Sequence, residues 1–250
     1  MSKVTAVIIA KNEEKMIADC LDSVRFCDEI VVVDTGSTDN TVKLAKEKNA
    51  KVFHFAMTNY ADVRNKGKEH AKNDWIFYID ADERATKELA EHIKKIIHNT
   101  SFSAFKIKRK NFYFGGHEWP YIEKLERVFK KDKLKKWVGP LHESPVIDGE
   151  VGELNGYLLH YTHRNLSDMV KKTLVWSKVE AELRYKAGHP KMAWWRFPRV
   201  MTAAFYDSYI KQGGWKAGPV GIVESMYQSF SIFVTYARLW ELQKRFKNEK

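Results

Sequence analysis

Cysteine is almost absent: the chain holds only Cys20 and Cys27. Their spacing matches no metal-binding or redox motif, so reduced thiols in a cytosolic protein are expected. A secretory leader is not expected either, because the apolar run 4–10 is short and meets Lys11-Asn12-Glu13-Glu14. There is no Rossmann glycine pattern and no P-loop, which excludes a glycine-cradled phosphate site. Internal repeats and low-complexity segments are missing too. Long uncharged stretches are scarce. The one at 217–237 carries a single charge, Glu224, but its Ser225, Gln228, Ser229, Ser231 and Thr235 make it wet for a bilayer span. Acid is in the minority: 32 Asp and Glu against 43 Lys and Arg leave a net charge of +11, which calls for an anionic partner.

What is present is an α/β alternation. Val4 to Ala10 and Glu29 to Asp34 are β-branched runs, hence buried strands, with a third at Lys51 to Phe55. A fourth starts at Asp74 and ends in Asp80-Ala81-Asp82-Glu83. Helices are expected between them: one capped by Asn12, one to Lys48, one over 62–71, and one capped by Thr86 running to Ile97. Such alternation gives a mostly parallel sheet with right-handed crossovers. All strand ends then reach one edge. That edge collects Lys11, Asn12, Glu13, Asp34, Asp80 and Asp82, with Arg64 and Asn65 from the helix before the fourth strand. Three unpaired carboxylates do not belong in a core, so Asp80, Asp82 and Glu83 are expected at an open strand end. Asp80 and Asp82 suit a hard cation such as magnesium or manganese, and a solvated turn before a helix is the bland alternative.

From 101 to 165 the pattern becomes antiparallel and basic. It carries Arg127, then Trp137-Val138-Gly139-Pro140-Leu141-His142-Glu143, then the strand with His160 and His163. The remainder, 166–250, is helical. Ser167 is expected to cap one helix, and a second over 191–212 is expected to kink at Pro198. There Trp194, Trp195, Arg196, Phe197 and Arg199 interleave rings and cations as an interfacial helix does.

The segments Ile8–Glu14, Val33–Thr41, Asp62–Asn65 and Asp80–Glu83, in that order, resemble family 2 glycosyltransferases with the GT-A fold. Trp137–Glu143 and Tyr236–Glu241 are similar to the narrower bacterial lipopolysaccharide-core β-glucosyltransferase group. The resemblance implies a GT-A catalytic domain at 1–165, its nucleotide-sugar half at 1–100 and acceptor half at 101–165. It also implies a UDP-sugar donor and a divalent cation, Mn2+ or Mg2+, on Asp80 and Asp82, with His160 as an extra ligand. Many relatives have a second aspartate where this chain has Thr35, so Asp34 alone is assigned to the nucleoside.

In an inverting transfer, a general base apart from the cation's carboxylates must take the acceptor proton, and Glu143 is assigned that role. Arg127, Trp137 and His142 are placed at the acceptor. The helical part is expected to hold the protein, as a peripheral protein, on the inner face of the cell membrane, acting on a lipid-linked saccharide. A homo-oligomer is compatible with this. Two rivals stand beside it: a basic nucleic-acid-binding protein, which leaves the carboxylate edge without purpose, and a nucleotide-sugar-binding module without catalysis. No nucleic acid is expected.

Overall fold

A computed structural model describes residues 2–57, 59–140 and 143–245. The chain forms two compact units. The first takes in 1–110 and 122–160, and the second 111–121 and 161–250.

The first unit is built on β1 (Val4–Ala10), β2 (Glu29–Asp34), β3 (Lys51–His54) and β4 (Trp75–Asp80). They pair in parallel in the order β3-β2-β1-β4. The register sets Ala10 beside Asp34 and Ile9 beside Asp80, so three strand ends reach one edge. Helices α1 (Ile17–Ser23), α2 (Thr41–Glu47), α3 (Tyr60–His70) and α4 (Lys87–Ile96) connect or follow these strands. Strand β1 is buried along its whole length. Its Ala6 and Ile8 pack with Ile17, Leu21, Leu89 and Ile93, while Val7 and Ile9 pack with Ala61, Val63 and Trp137. A strand covered on both faces must be apolar throughout, which is why its sequence does not alternate. Helix α3 lies flush on this sheet. A Cβ at Gly67 would stand 2.3 Å from Val7 Cγ1, so only glycine permits the approach that positions Arg64 and Asn65.

Antiparallel strands continue the same sheet: β5 (Glu83–Ala85), β6 (Ala104–Tyr113), β7 (His117–Lys130) and β10 (Val151–Tyr161), in the order β4-β7-β6-β10-β5. The sheet is therefore mixed, with the basic half extending the parallel half. Strands β8 (Leu134–Val138) and β9 (Ser144–Ile147) form a separate ribbon.

The second unit holds α5 (Leu166–Lys186), α6 (Arg196–Tyr206) and α7 (Gly218–Arg245). It also takes in the tip of the β6–β7 hairpin, where Trp119 Nε1 donates to Gln212 Oε1 at 3.1 Å. Three local expectations are corrected. Asn12 does not cap α1. Its φ of +54° is left-handed, and its side chain accepts from Thr38 N instead, 2.7 Å away. Asn165, not Ser167, caps α5 by accepting from Asp168 N at 2.9 Å. Pro198 kinks nothing, because α6 starts at Arg196 and the first turn needs no N–H from its third residue. The continuation, Asp207–Lys211, is a π-helical turn.

Candidate active site

The loops after β1 and β2 lock together. Asn12 N donates to Ser37 Oγ, Glu13 N to Thr41 Oγ1 and Glu14 N to Asp39 Oδ2, at 2.8–3.1 Å. Lys11 and Asn12 are exposed on this edge and Glu13 is half-buried. Asp34 turns inward. Gly36 N and Ser37 N donate to its carboxylate at 3.2 Å, and His54 Nδ1 lies 3.0 Å away. Burial would raise this carboxyl, but the hydrogen bonds from Ser37, Gly36 and His54 outweigh it and hold it low. In this structure Asp34 therefore shapes the turn, and His54 is a partner the sequence did not point to.

The Asp80–Glu83 turn is built on arginines. Asp80 Oδ1 accepts from Arg64 Nη2 at 3.2 Å and Asp80 Oδ2 from Arg127 Nη2 at 2.9 Å. Burial works against the Asp80 anion, yet Arg127 and Arg64 prevail and keep its carboxyl well below the usual range. Glu83 is 0% exposed. It accepts from Arg109 Nη1 at 2.9 Å, from Arg127 Nη2 at 3.4 Å and from Asp80 N at 2.9 Å. Arg109 reaches on to Glu123, 2.6 Å away. Thus one of the three carboxylates expected at an open edge is in fact interior, neutralised by two arginines. Arg109, which the sequence did not single out, is a structural part of the edge.

Asp82 keeps different company, with His160 Nε2 3.4 Å from its Oδ2. Glu143 Oε1 accepts from Arg64 Nε at 2.8 Å, so Arg64 bridges Glu143 and Asp80. Desolvation opposes the Arg64 charge, but Asp80 and Glu143 more than compensate and push its pKa up. Next to it on α3, Asn65 clasps the backbone of Trp137: its Nδ2 donates to Trp137 O at 3.1 Å and its Oδ1 accepts from Trp137 N at 2.8 Å. The Arg64 guanidinium sits 5.0 Å from the Trp137 ring centre. Burial, with Asp80 and Glu143 adding to it, pushes the Tyr60 phenol up to about 12. His142 lies outside the described residues.

Among the described residues, three buried donors here have no acceptor: Arg64 Nη1, Arg127 Nε and Trp137 Nε1. Buried donors are normally satisfied, so this edge is suited to an incoming acceptor-rich, anionic molecule. Among the described residues no three His, Cys, Asp or Glu side chains group as a metal cage. Asp82 and His160 offer two ligands, which fits a cation that completes its shell with phosphate oxygens and water.

The family model for glycosyl transferase family 2 matches residues 5–147, the span that carries this edge. The chain belongs to glycosyl transferase family 2. An uncharacterized glycosyltransferase of Rickettsia typhi is 31% identical over 99% of this chain and 90% of its own length. The lipopolysaccharide core biosynthesis glycosyltransferase LpsC of Rhizobium meliloti is 27% identical over 95% of this chain and 92% of its own. Among solved structures, a mannosyltransferase of Pyrobaculum calidifontis in complex with GDP-Man and Mn2+ covers 96% of this chain and 88% of its own, with a TM-score of 0.56 at 14% identity. That likeness establishes the GT-A fold for this glycosyltransferase.

In the second unit of the glycosyltransferase, α7 buries polar and apolar side chains together, Tyr227, Tyr236 and Leu239 among the latter. Its buried positions include Glu224, Ser225, Ser229 and Thr235. They are satisfied by neighbours: Glu224 lies 2.9 Å from His163 Nδ1, Ser225 3.0 Å from Ser208, and Ser229 donates to Met201 O at 2.8 Å. Its outward face carries Ile222, Val223, Met226, Phe230, Phe233 and Trp240, each 37–59% exposed. Trp194 is 83% exposed, Trp195 lies against Arg196, and Phe197 packs on Phe233. Arg199 is exposed. No described helix is long and apolar enough to cross a membrane.

Proposed function

We propose that this glycosyltransferase moves a hexose, glucose by our assignment, from a UDP-sugar to a lipid-linked saccharide with inversion, at the cytoplasmic face of the membrane. The acceptor is a lipopolysaccharide core or a polyprenyl-linked sugar. The relative named for lipopolysaccharide core biosynthesis supports the acceptor class, and the GDP-Man and Mn2+ complex of the mannosyltransferase supports a nucleotide sugar with a divalent cation. The observation that carries the proposal is the edge itself, with Asp80 gripped by two arginines and Asp82 beside His160.

Asp82 and His160 are the residues that would hold Mn2+ or Mg2+. When bound, the cation supplies charge neutralisation to the leaving diphosphate. Lys11, Asn12, Glu13 and Asp34 shape the nucleoside end, and Asp80 faces the ribose. Arg64 Nη1 and Arg127 Nε are donors for the donor sugar's anionic oxygens. Glu143, oriented by Arg64, takes the proton from the attacking acceptor hydroxyl as the bond to the diphosphate breaks. Trp137 and Arg127 bound the acceptor side. The exposed apolar face of α7 and the rings of Trp194 and Trp195 rest on the lipid headgroups, with Arg196 and Arg199 toward anionic lipid.

The test is UDP release across a panel of UDP-sugars with manganese, magnesium or chelator. Glu143→Gln is expected to lose about 100- to 10,000-fold in kcat with donor affinity retained. Normal turnover by Glu143→Gln would remove the assigned base, and full activity in chelator would remove the cation.

A further inference from the structure

The membrane reading above turns Arg196 and Arg199 toward anionic lipid without naming a site for the anionic group. Helix α5 ends at Lys186, and Gly188, at φ +69°, turns the chain out of it. The loop that follows is pinned. His189 N donates to Arg184 O at 3.0 Å, Met192 N to Gln243 Oε1 at 2.8 Å, and Gln243 Nε2 to His189 O at 3.0 Å. The pinned loop, α6 and α7 line an open cavity of about 290 Å3. His189, Arg196 and Arg199 line it as polar groups, and Met192, Val200 and Tyr236 as walls.

The arginines are unusual for this molecule. Arg64, Arg109, Arg127 and Arg184 each hold a carboxylate. Arg196 and Arg199 have no carboxylate partner among the described residues. The nearest ring contact of Arg196 is Trp195, 5.1 Å away. The two stand three residues apart on one helix, where like charges repel. The first turn of α6 has no acidic residue to offset them. An anion in the cavity would relieve that repulsion. Two guanidinium forks match the oxygens of a phosphate in a way that ammonium groups do not. The apolar walls favour a phosphate attached to a carbon skeleton.

We propose that this cavity binds a phosphate group, presented either by a lipid headgroup or by a free phosphorylated compound. The proposal rests on the membrane reading only for the first source.

The test uses the full chain, with Arg196→Ala/Arg199→Ala and the charge-keeping Arg196→Lys/Arg199→Lys. Co-sedimentation is measured with phosphatidylcholine vesicles containing phosphatidic acid or, at matched charge, phosphatidylserine. Calorimetry follows inorganic phosphate and glycerol phosphate without lipid, and thermal melts confirm folding. The wild type is expected to prefer phosphatidic acid, to lose that preference on addition of glycerol phosphate, and to bind glycerol phosphate saturably. The alanine pair is expected to bind phosphatidic acid vesicles about tenfold more weakly. The lysine pair is expected to retain vesicle binding while losing the preference. Saturable, arginine-dependent phosphate binding without any vesicle binding would assign the cavity to a free phosphorylated ligand and end the membrane reading. A lysine pair that behaves as wild type in every arm, or vesicle binding with no phosphatidic acid preference and no phosphate binding, would overturn the cavity site and leave membrane attachment standing.

Discussion

Strand β4 and helix α7 solve opposite problems. Strand β4 buries Trp75, Ile76, Phe77, Tyr78 and Ile79 and delivers charge to its end. Helix α7 buries Glu224, Ser225 and Ser229 and turns Met226, Phe230 and Phe233 outward. The first arrangement is that of an aqueous protein, with apolar groups leaving water and charge kept where chemistry needs it. The second buries hydrogen-bonded polar groups beside Tyr227 and Leu239 and leaves several large apolar side chains on its surface.

The comparison can be broken first at the charged end of β4. Asp82→Asn is expected to lower kcat/KM for UDP release by about 1000-fold, near 4 kcal/mol of transition-state stabilisation, with an unchanged circular dichroism spectrum. Activity within tenfold of wild type would take Asp82 out of the chemistry.

A sharper contrast removes the same ring from each element. Phe77→Ala is expected to cost about 4 kcal/mol in urea unfolding. Phe230→Ala is expected to cost under about 1 kcal/mol, because its ring is already in part solvated, and to weaken vesicle binding instead. Equal destabilisation by the two would mean that α7's outward face is packed like a core.

Glu83→Ala is expected to cost about 3 kcal/mol, since it leaves Arg109 and Arg127 short of a buried partner. A stability close to wild type would mean that water replaces the carboxylate freely.

The smallest effect is in pH. Asp34 has a carboxyl held lower in the folded state than in the unfolded chain. The unfolded chain therefore takes up this proton first on acidification. The contribution of Asp34 is complete above the ordinary carboxylate range, about pH 4, and is lost as pH falls below it. Asp34→Asn is expected to flatten that part of the stability–pH profile measured by urea unfolding. An unchanged profile would show that the turn does not need the charge.

What could be read from the chain follows from how far each cause reaches. Val4 to Ala10 and Glu29 to Asp34 announce strands because a doubly covered strand must be apolar throughout, a property written in consecutive residues. Asn65 and Trp137 could be named as site residues, yet their clasp could not, since 72 residues separate them. Glu83 was placed at an open edge for the same reason. Its neutralising partners sit 26 and 44 positions away, on strands whose order the sequence does not state. Strands β5 and β9 are three and four residues long and carry too few side chains for any period. Asn12 misled because a short polar residue before a helix suits both a cap and a left-handed bend, and the bend was chosen by Thr38, 26 residues on. The polarity of α7 was visible in an uncharged run, but which of its polar residues are buried depended on His163, Ser208 and Met201.

The burial of Glu83 has a consequence for descent. Its carboxylate joins the guanidinium groups of Arg109 and Arg127, which reach on to Glu123 and Asp80, in one network of charge inside the first unit. A lineage that replaces Glu83 alone leaves both arginines short of a buried partner. Positions 83, 109 and 127 should therefore change in concert, whereas Asp82, the residue before Glu83, lies beside His160.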